Sequence, residues 1–240
     1  MNGHLTSKRT FCILSGLSGV IGVALLIVSF AINAGPPRNA TSADLIRFGQ
    51  LNYAKVLWGA WLQAVGPVLI VLFAFSLVHL SRATQRLAGW MTFFGAATLM
   101  CVSLIEITFY ISALDPDPPV LPSISLGLIS AVQHLYFIVA APALFLPLGI
   151  VLLGSPVLPR VFAYLALILA MAFGALGLIF LLTLTLPDGV TAFAGVQAVW
   201  WLAASVALIF RSEEISRCSE EKRGVVFHGQ STNTRSESAR

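Results

Sequence analysis

The chain is predicted to be an all-α, polytopic membrane bundle of six transmembrane helices, and three observations carry that prediction. First, 58% of the 240 residues are apolar and only 10% are charged, against roughly 25% charged residues in an ordinary soluble domain. So little charge cannot cover a water-facing surface. Second, six stretches reach the roughly 20 apolar residues that a crossing needs. Third, the basic residues gather at alternate ends of those stretches, as loops on the two sides of a membrane do.

The stretches run approximately 11–33, 56–80, 87–113, 126–153, 161–186 and 192–210. Residues 1–10 precede them, and 211–240 form a polar tail. Lys8 and Arg9 lead into the first run, which is long for the 7–15-residue core typical of a signal peptide. It is expected to stay as a span. Gly35-Pro36-Pro37, Asp115-Pro116-Asp117-Pro118-Pro119, Ser155-Pro156 and Pro187-Asp188-Gly189 separate the others. Proline lacks the backbone donor and fixes φ, so these clusters end helices. Residues 81–86 break the chain by polarity instead.

The first loop is the longest. Thr41, Ser42 or Asp44 is placed to cap a helix that runs through Leu45, Phe48 and Tyr53 into the second span. Its apolar residues suit either a surface packing element or a lid over a cavity. Asn39-Ala40-Thr41 is a glycosylation triplet of low specificity. Ser15 with Gly19, Ser18 with Gly22, and Ala170 with Gly174 are small pairs suited to close helix contact in lipid. Pro67, Pro142 and Pro147 fall inside spans, where each should kink a helix or free a carbonyl. In the tail, 212–223 can prolong the last helix, and the polar mixture beyond it is expected to be disordered.

Of the 14 basic residues, 11 lie at the termini and in the second and fourth loops, and 3 lie in the first loop region. Six spans with that split place both termini in the cytoplasm. The net charge of +4 is therefore a topology signal rather than a nucleic-acid patch. The expected partner is the bilayer, with a second membrane protein or a second copy of the chain as further candidates.

Glu106 is the one ionisable acid or base far from a span end, and such groups are functional candidates. His134 lies at matching depth on the next, antiparallel span, both about 10–12 Å below the outer end. The two are expected to touch, as a charge-assisted pair or a shared proton. Lys55 is a rival partner that starts at the interface. Ser103, Glu106 and Tyr110 share one helix face, and Ser130 and His134 share another with Gln133 adjacent. Gln63 and Gln197 reach the same outer half. Glu106, His134, Tyr110, Gln133, Ser130, Gln63 and Gln197 thus outline a candidate polar pocket. The plainer alternative is a buried polar knot that sets helix register.

Other chemistry finds no support in the residues. Gly16-Leu17-Ser18-Gly19 looks like an intramembrane serine-protease motif, but Ser18 and His134 sit about 10 Å apart in depth. His79 and His134 lie in opposite halves, which disfavours a pair of axial haem ligands. Cys12, Cys101 and Cys218 lack metal-ligand spacing and imply no disulfide framework. No cofactor and no metal is expected. The layout, with Leu45-Ile46-Arg47-Phe48-Gly49 closing a long outer loop and Arg82 and Arg86 after the second span, resembles bacterial six-span membrane proteins grouped as domains of unknown function. The likeness covers about half the chain. It transfers no functional residue and implies a bacterial inner-membrane location. Three function classes follow: a non-enzymatic sensor or accessory subunit with a small outward pocket, a proton-coupled transporter using Glu106 and His134, or a membrane enzyme acting on lipid.

Overall fold

A computed structural model of the chain describes residues 3–33, 41–114, 121–183 and 190–217. Every regular element among them is helical: α1 (Gly3–Ile32), α2 (Ser42–Leu80), α3 (Leu87–Ser112), α4 (Leu121–Leu135), a π-helical turn (Tyr136–Ala140), α5 (Ala141–Leu153), α6 (Arg160–Thr183) and α7 (Val190–Phe210). Helix α4, the π turn and α5 make one span, so six helices are long and apolar enough to cross a membrane. The protein is a multi-pass membrane helix bundle. The predicted breaks at Gly35-Pro36-Pro37, Asp115 to Pro119 and Pro187-Asp188-Gly189 lie outside the described residues, as do the Asn39 triplet and the tail beyond Arg217.

Helix α1 begins before its predicted span, whereas α2 begins at the predicted cap and runs on into the second span as expected. Helix α1 starts at Gly3, because nothing in residues 3–10 breaks a helix. Helix α2 extends 39 residues, from a capping box in which Thr41 Oγ1 accepts from Asp44 N–H and the Asp44 carboxylate accepts from Thr41 N–H. At 1.5 Å per residue α2 is about 58 Å long, against a hydrocarbon core of about 30 Å. Its first turns therefore stand beyond the membrane. At its other end Arg82 adopts φ 52°. There Ala83 N–H donates to Val78 O and Arg82 N–H to His79 O, a Schellman closure that uses arginine where glycine is usual.

The interior prolines are each met by a small or hydroxyl side chain of a neighbouring helix. Pro67 cannot donate to Gln63 O, and the Ser103 hydroxyl of α3 donates to that carbonyl at 3.3 Å. Pro147 frees Ala143 O, and α3 approaches that carbonyl so closely at Gly95 that any Cβ there would overlap it. Pro142 follows the π turn, where Ala141 N–H donates five residues back to Tyr136 O. In a regular helix the proline ring would collide with the carbonyl four residues back, and a wider turn at this place is the usual relief of that clash. Gly177 of α6 packs against this turn, with a Cβ there only 2.7 Å from Ile138 Cα. Of the predicted pair on α6, Ala170 is buried in the core, whereas Gly174 meets only Pro142, at 3.9 Å.

The α1 stripe behaves as predicted. Gly19 faces Phe73 and Ser205, and Gly22 faces the Gly66 carbonyl of α2. The centre of the bundle is aromatic. Phe73, Phe145, Phe173 and Trp201 are fully buried, with Phe145 and Trp201 rings 5.2 Å apart. In lipid this contact stabilises through dispersion and close fit rather than through release of water.

Candidate functional site

The predicted polar residues other than Tyr110 fall into three hydrogen-bonded sets. In the first, Glu106 of α3 accepts from two carboxamides: Gln63 Nε2 of α2 donates to Oε2 at 2.9 Å and Gln133 Nε2 of α4 to Oε1 at 3.0 Å. Gln63 is itself buried, and Pro67 together with Ser103 fixes the backbone beneath it. One carboxyl group thus ties three helices, each bond by a neutral donor. Among the described residues no cation pairs with Glu106, and Lys55 is exposed.

His134 does not pair with Glu106. Its Nδ1 donates to Ser130 O at 2.7 Å, one turn back on its own helix. Its ring meets the Phe180 ring edge-on, with centroids 6.1 Å apart. Its Nε2 is buried without a hydrogen-bond partner. The reason is rotational. Gln133 and His134 differ by only about 1.5 Å in depth but by about 100° around the helix axis, and it is Gln133 that faces α3. Ser130 contributes its carbonyl to this second set.

The third set lies on the π turn. Tyr136 OH donates to Gln197 Oε1 of α7, joining the fourth and sixth spans. Depth alone groups Gln197 with Glu106 and passes over Tyr136, because a π turn shifts the helical phase that such assignments assume.

The seven predicted residues therefore do not form one hydrogen-bonded group. Tyr110, one turn beyond Glu106, instead lines a cleft at the end of the bundle where α1 stops and α2 starts. Leu45, Phe48 and Val56 of α2 and Leu126 of α4 supply its apolar walls. The predicted α2 extension thus forms one side of a cavity. The cleft contains a residue that sequence reasoning missed, Asn33. Its Nδ2 and Oδ1 are both buried and have no hydrogen-bond partner. Ser29, one turn earlier, donates from Oγ to Gly59 O at 2.8 Å and pins α1 against α2. Gly59 lacks a side chain where the Asn33 amide lies, and a Cβ there would overlap it. An unpaired buried polar group costs about 1–3 kcal/mol, so this amide is held at a cost. A lone asparagine at a span end gives no signal in sequence; only the closeness of Gly59 exposes it.

At the opposite end the described residues carry ion pairs. Arg9 meets Glu213 at 2.7 Å and Arg211 meets Glu214 at 2.9 Å. Arg211 also donates to Val157 O at 3.3 Å. The Arg211 hydrogen bond and charge hold the Glu214 carboxyl below its ordinary value.

Comparison with family models, with curated proteins and with solved structures gave no match.

Proposed function

We propose that the protein is a non-enzymatic sensor or accessory subunit of the cell membrane that takes up a small ligand in the cleft between the α2 extension, α3 and α4. The single observation behind this reading is the cleft itself, an apolar hollow walled by Leu45, Phe48, Val56, Tyr110 and Leu126. Both Glu106 oxygens are taken by amides and His134 Nδ1 by a carbonyl, while His134 Nε2 has no partner. That favours a structural knot beneath a binding site over a reacting centre. The basic residues favour both termini in the cytoplasm and the cleft outside. The resemblance to bacterial six-span proteins favours the inner membrane. A second copy or another membrane protein is the natural partner of an accessory subunit, and the lipid-exposed apolar faces leave room for one.

Native mass spectrometry of protein released from its own membrane tests the reading. A bound small molecule that is lost on Tyr110→Ala and Leu126→Trp supports it. Protein that carries nothing beyond bulk phospholipid, in wild type and variants alike, refutes it.

A second reading has one observation of its own. The fourth span is interrupted by a π turn and Pro142 just beyond Gln133, and broken spans with a nearby carboxyl suit a proton-coupled carrier. In liposomes such a carrier moves protons, and Glu106→Gln abolishes the movement. His134 enters this reading separately, since it does not touch Glu106.

A further inference from the structure

We propose that the end of the bundle opposite the cleft binds the phosphodiester headgroup of an anionic phospholipid, through Arg82, Arg86 and Arg160. This site is independent of the cleft and stands or falls without it.

The three arginines sit on two loops that the fold brings together. Arg82 and Arg86 lie between α2 and α3, and Arg160 opens α6 after the loop from α5. Helix α5 packs against both α3 and α6. Arg86 reaches from one loop to the other: its Nη1 lies 3.3 Å from the point where a Cβ on Gly154 would stand. All three arginines are exposed. Among the described residues their guanidinium groups have no ion pair, whereas Arg9 and Arg211 at the same end each meet a glutamate. Arg82 adds a backbone observation. It holds a left-handed φ of 52°, where glycine would be unstrained. Such outliers gather at ligand clamps, and here the retained strain keeps a cation on the loop.

The surface beside the arginines suits acyl chains. Trp90 N–H donates to Arg86 O, one helical turn back, and Tyr164 follows Arg160 by one turn on α6, so each aromatic shares a face with its arginine. Both aromatics are exposed, and Phe94 and Ile168 continue the two faces with more exposed apolar surface. Trp and Tyr collect at headgroup depth. Each arginine starts about 6 Å further out, at the level of phosphate rather than of hydrocarbon. Guanidinium and phosphate pair through two parallel hydrogen bonds. A choline headgroup brings a cation of its own, which three arginines repel, so the site selects a net negative lipid.

The test titrates full-length protein in neutral detergent with phosphatidylglycerol or phosphatidylcholine of the same acyl chains. Bound lipid is counted by native mass spectrometry. Phosphatidylglycerol is expected to bind about tenfold tighter or more, and Arg86→Gln and Arg160→Gln should each cut that preference about fivefold. Arg82→Gly should cut it as much while raising the melting temperature of the lipid-free protein, because the backbone relaxes. A purely structural arginine would change the melting temperature and leave the preference alone. Arg47→Gln, which removes an exposed cation from the α2 extension at the other end, should leave the preference unchanged. Should Arg86→Gln prove unstable, Arg82→Gly still decides.

Equal binding of the two lipids overturns the inference. So does an equal loss on Arg47→Gln and Arg86→Gln, which reduces the effect to general attraction between charges. Displacement of phosphatidylglycerol by an equal concentration of inorganic phosphate assigns the arginines to a free anion and overturns the lipid. Glu220 and Glu221 lie beyond the described residues and are the rival partners within the chain. A stronger preference for phosphatidylglycerol after both are changed to glutamine assigns the arginines to the tail and likewise overturns the inference.

Discussion

Glu106 shows how one side chain can organise three helices. Gln63 and Gln133 each give it one hydrogen bond, so Glu106→Gln replaces one acceptor oxygen with a donor that faces a donor. The variant should lose about 1–3 kcal/mol of stability, read as a lower thermal midpoint in mild detergent. Glu106→Ala and Gln133→Ala share a bond, and their double mutant should be non-additive by about 0.5 kcal/mol or more. Glu106→Ala and His134→Ala share none, and their effects should add. Non-additivity in that second pair would contradict the arrangement of Gln133 and His134 on α4. Sequence patterning found Glu106, Gln63 and Gln133 as members of a polar group at one depth. It paired the wrong two, because depth follows from counting residues and azimuth does not.

Among the elements, the prolines were legible and their partners were not. A proline three turns into an apolar run announces a freed carbonyl four residues earlier. Nothing local says that Ser103 will cover Gln63 O or that Gly95 will slide under Ala143 O. Gly95→Val should force α3 away from α5 and cost about 1–3 kcal/mol, while Gly127→Ala, with open space around it, should be harmless. Thermal denaturation of the two variants side by side checks this. Arg82 gives the opposite sign. It is exposed and left-handed at φ 52°, so Arg82→Gly should stabilise by about 1 kcal/mol through relief of the backbone. The capping box at the start of α2 carries a pH dependence. Hydrogen bonds with Thr41 hold the Asp44 carboxyl below its ordinary value of 3.8. A depressed carboxyl stabilises fully above the unfolded value and loses that contribution as pH falls through the folded one. Amide exchange in the first turn of α2 should therefore quicken as pH drops below about 3.8, after correction for the intrinsic rate. Asp44→Asn should remove that pH dependence.

The bundle taken as one object has two unlike ends. One carries the α2 extension and the Asn33 cleft, and the other carries Arg9, Arg211 and their acidic partners. If the basic end is cytoplasmic, a fluorescent protein fused after Arg240 should mature and glow in a bacterial host, and a periplasmic phosphatase fused there should stay inactive. The reverse pattern would turn the cleft inward and remove the outward-site reading. Six spans, their approximate limits, the cap at Thr41 and the asymmetry of charge all follow from the chain read in order. Each depends on a run of neighbours: about 20 apolar residues to cross the membrane, a donor lost at proline, a hydroxyl three residues before a carboxyl. The division of the polar residues into three sets, the union of Glu106 with two glutamines, the phase shift at the π turn and the notch that holds Asn33 were decided only by assembly. They depend on how far each helix is rotated about its axis. A rotation of about 100° separates one residue from the next, so adjacent residues at one depth face different neighbours, and only contacts between helices select which of them meets a partner.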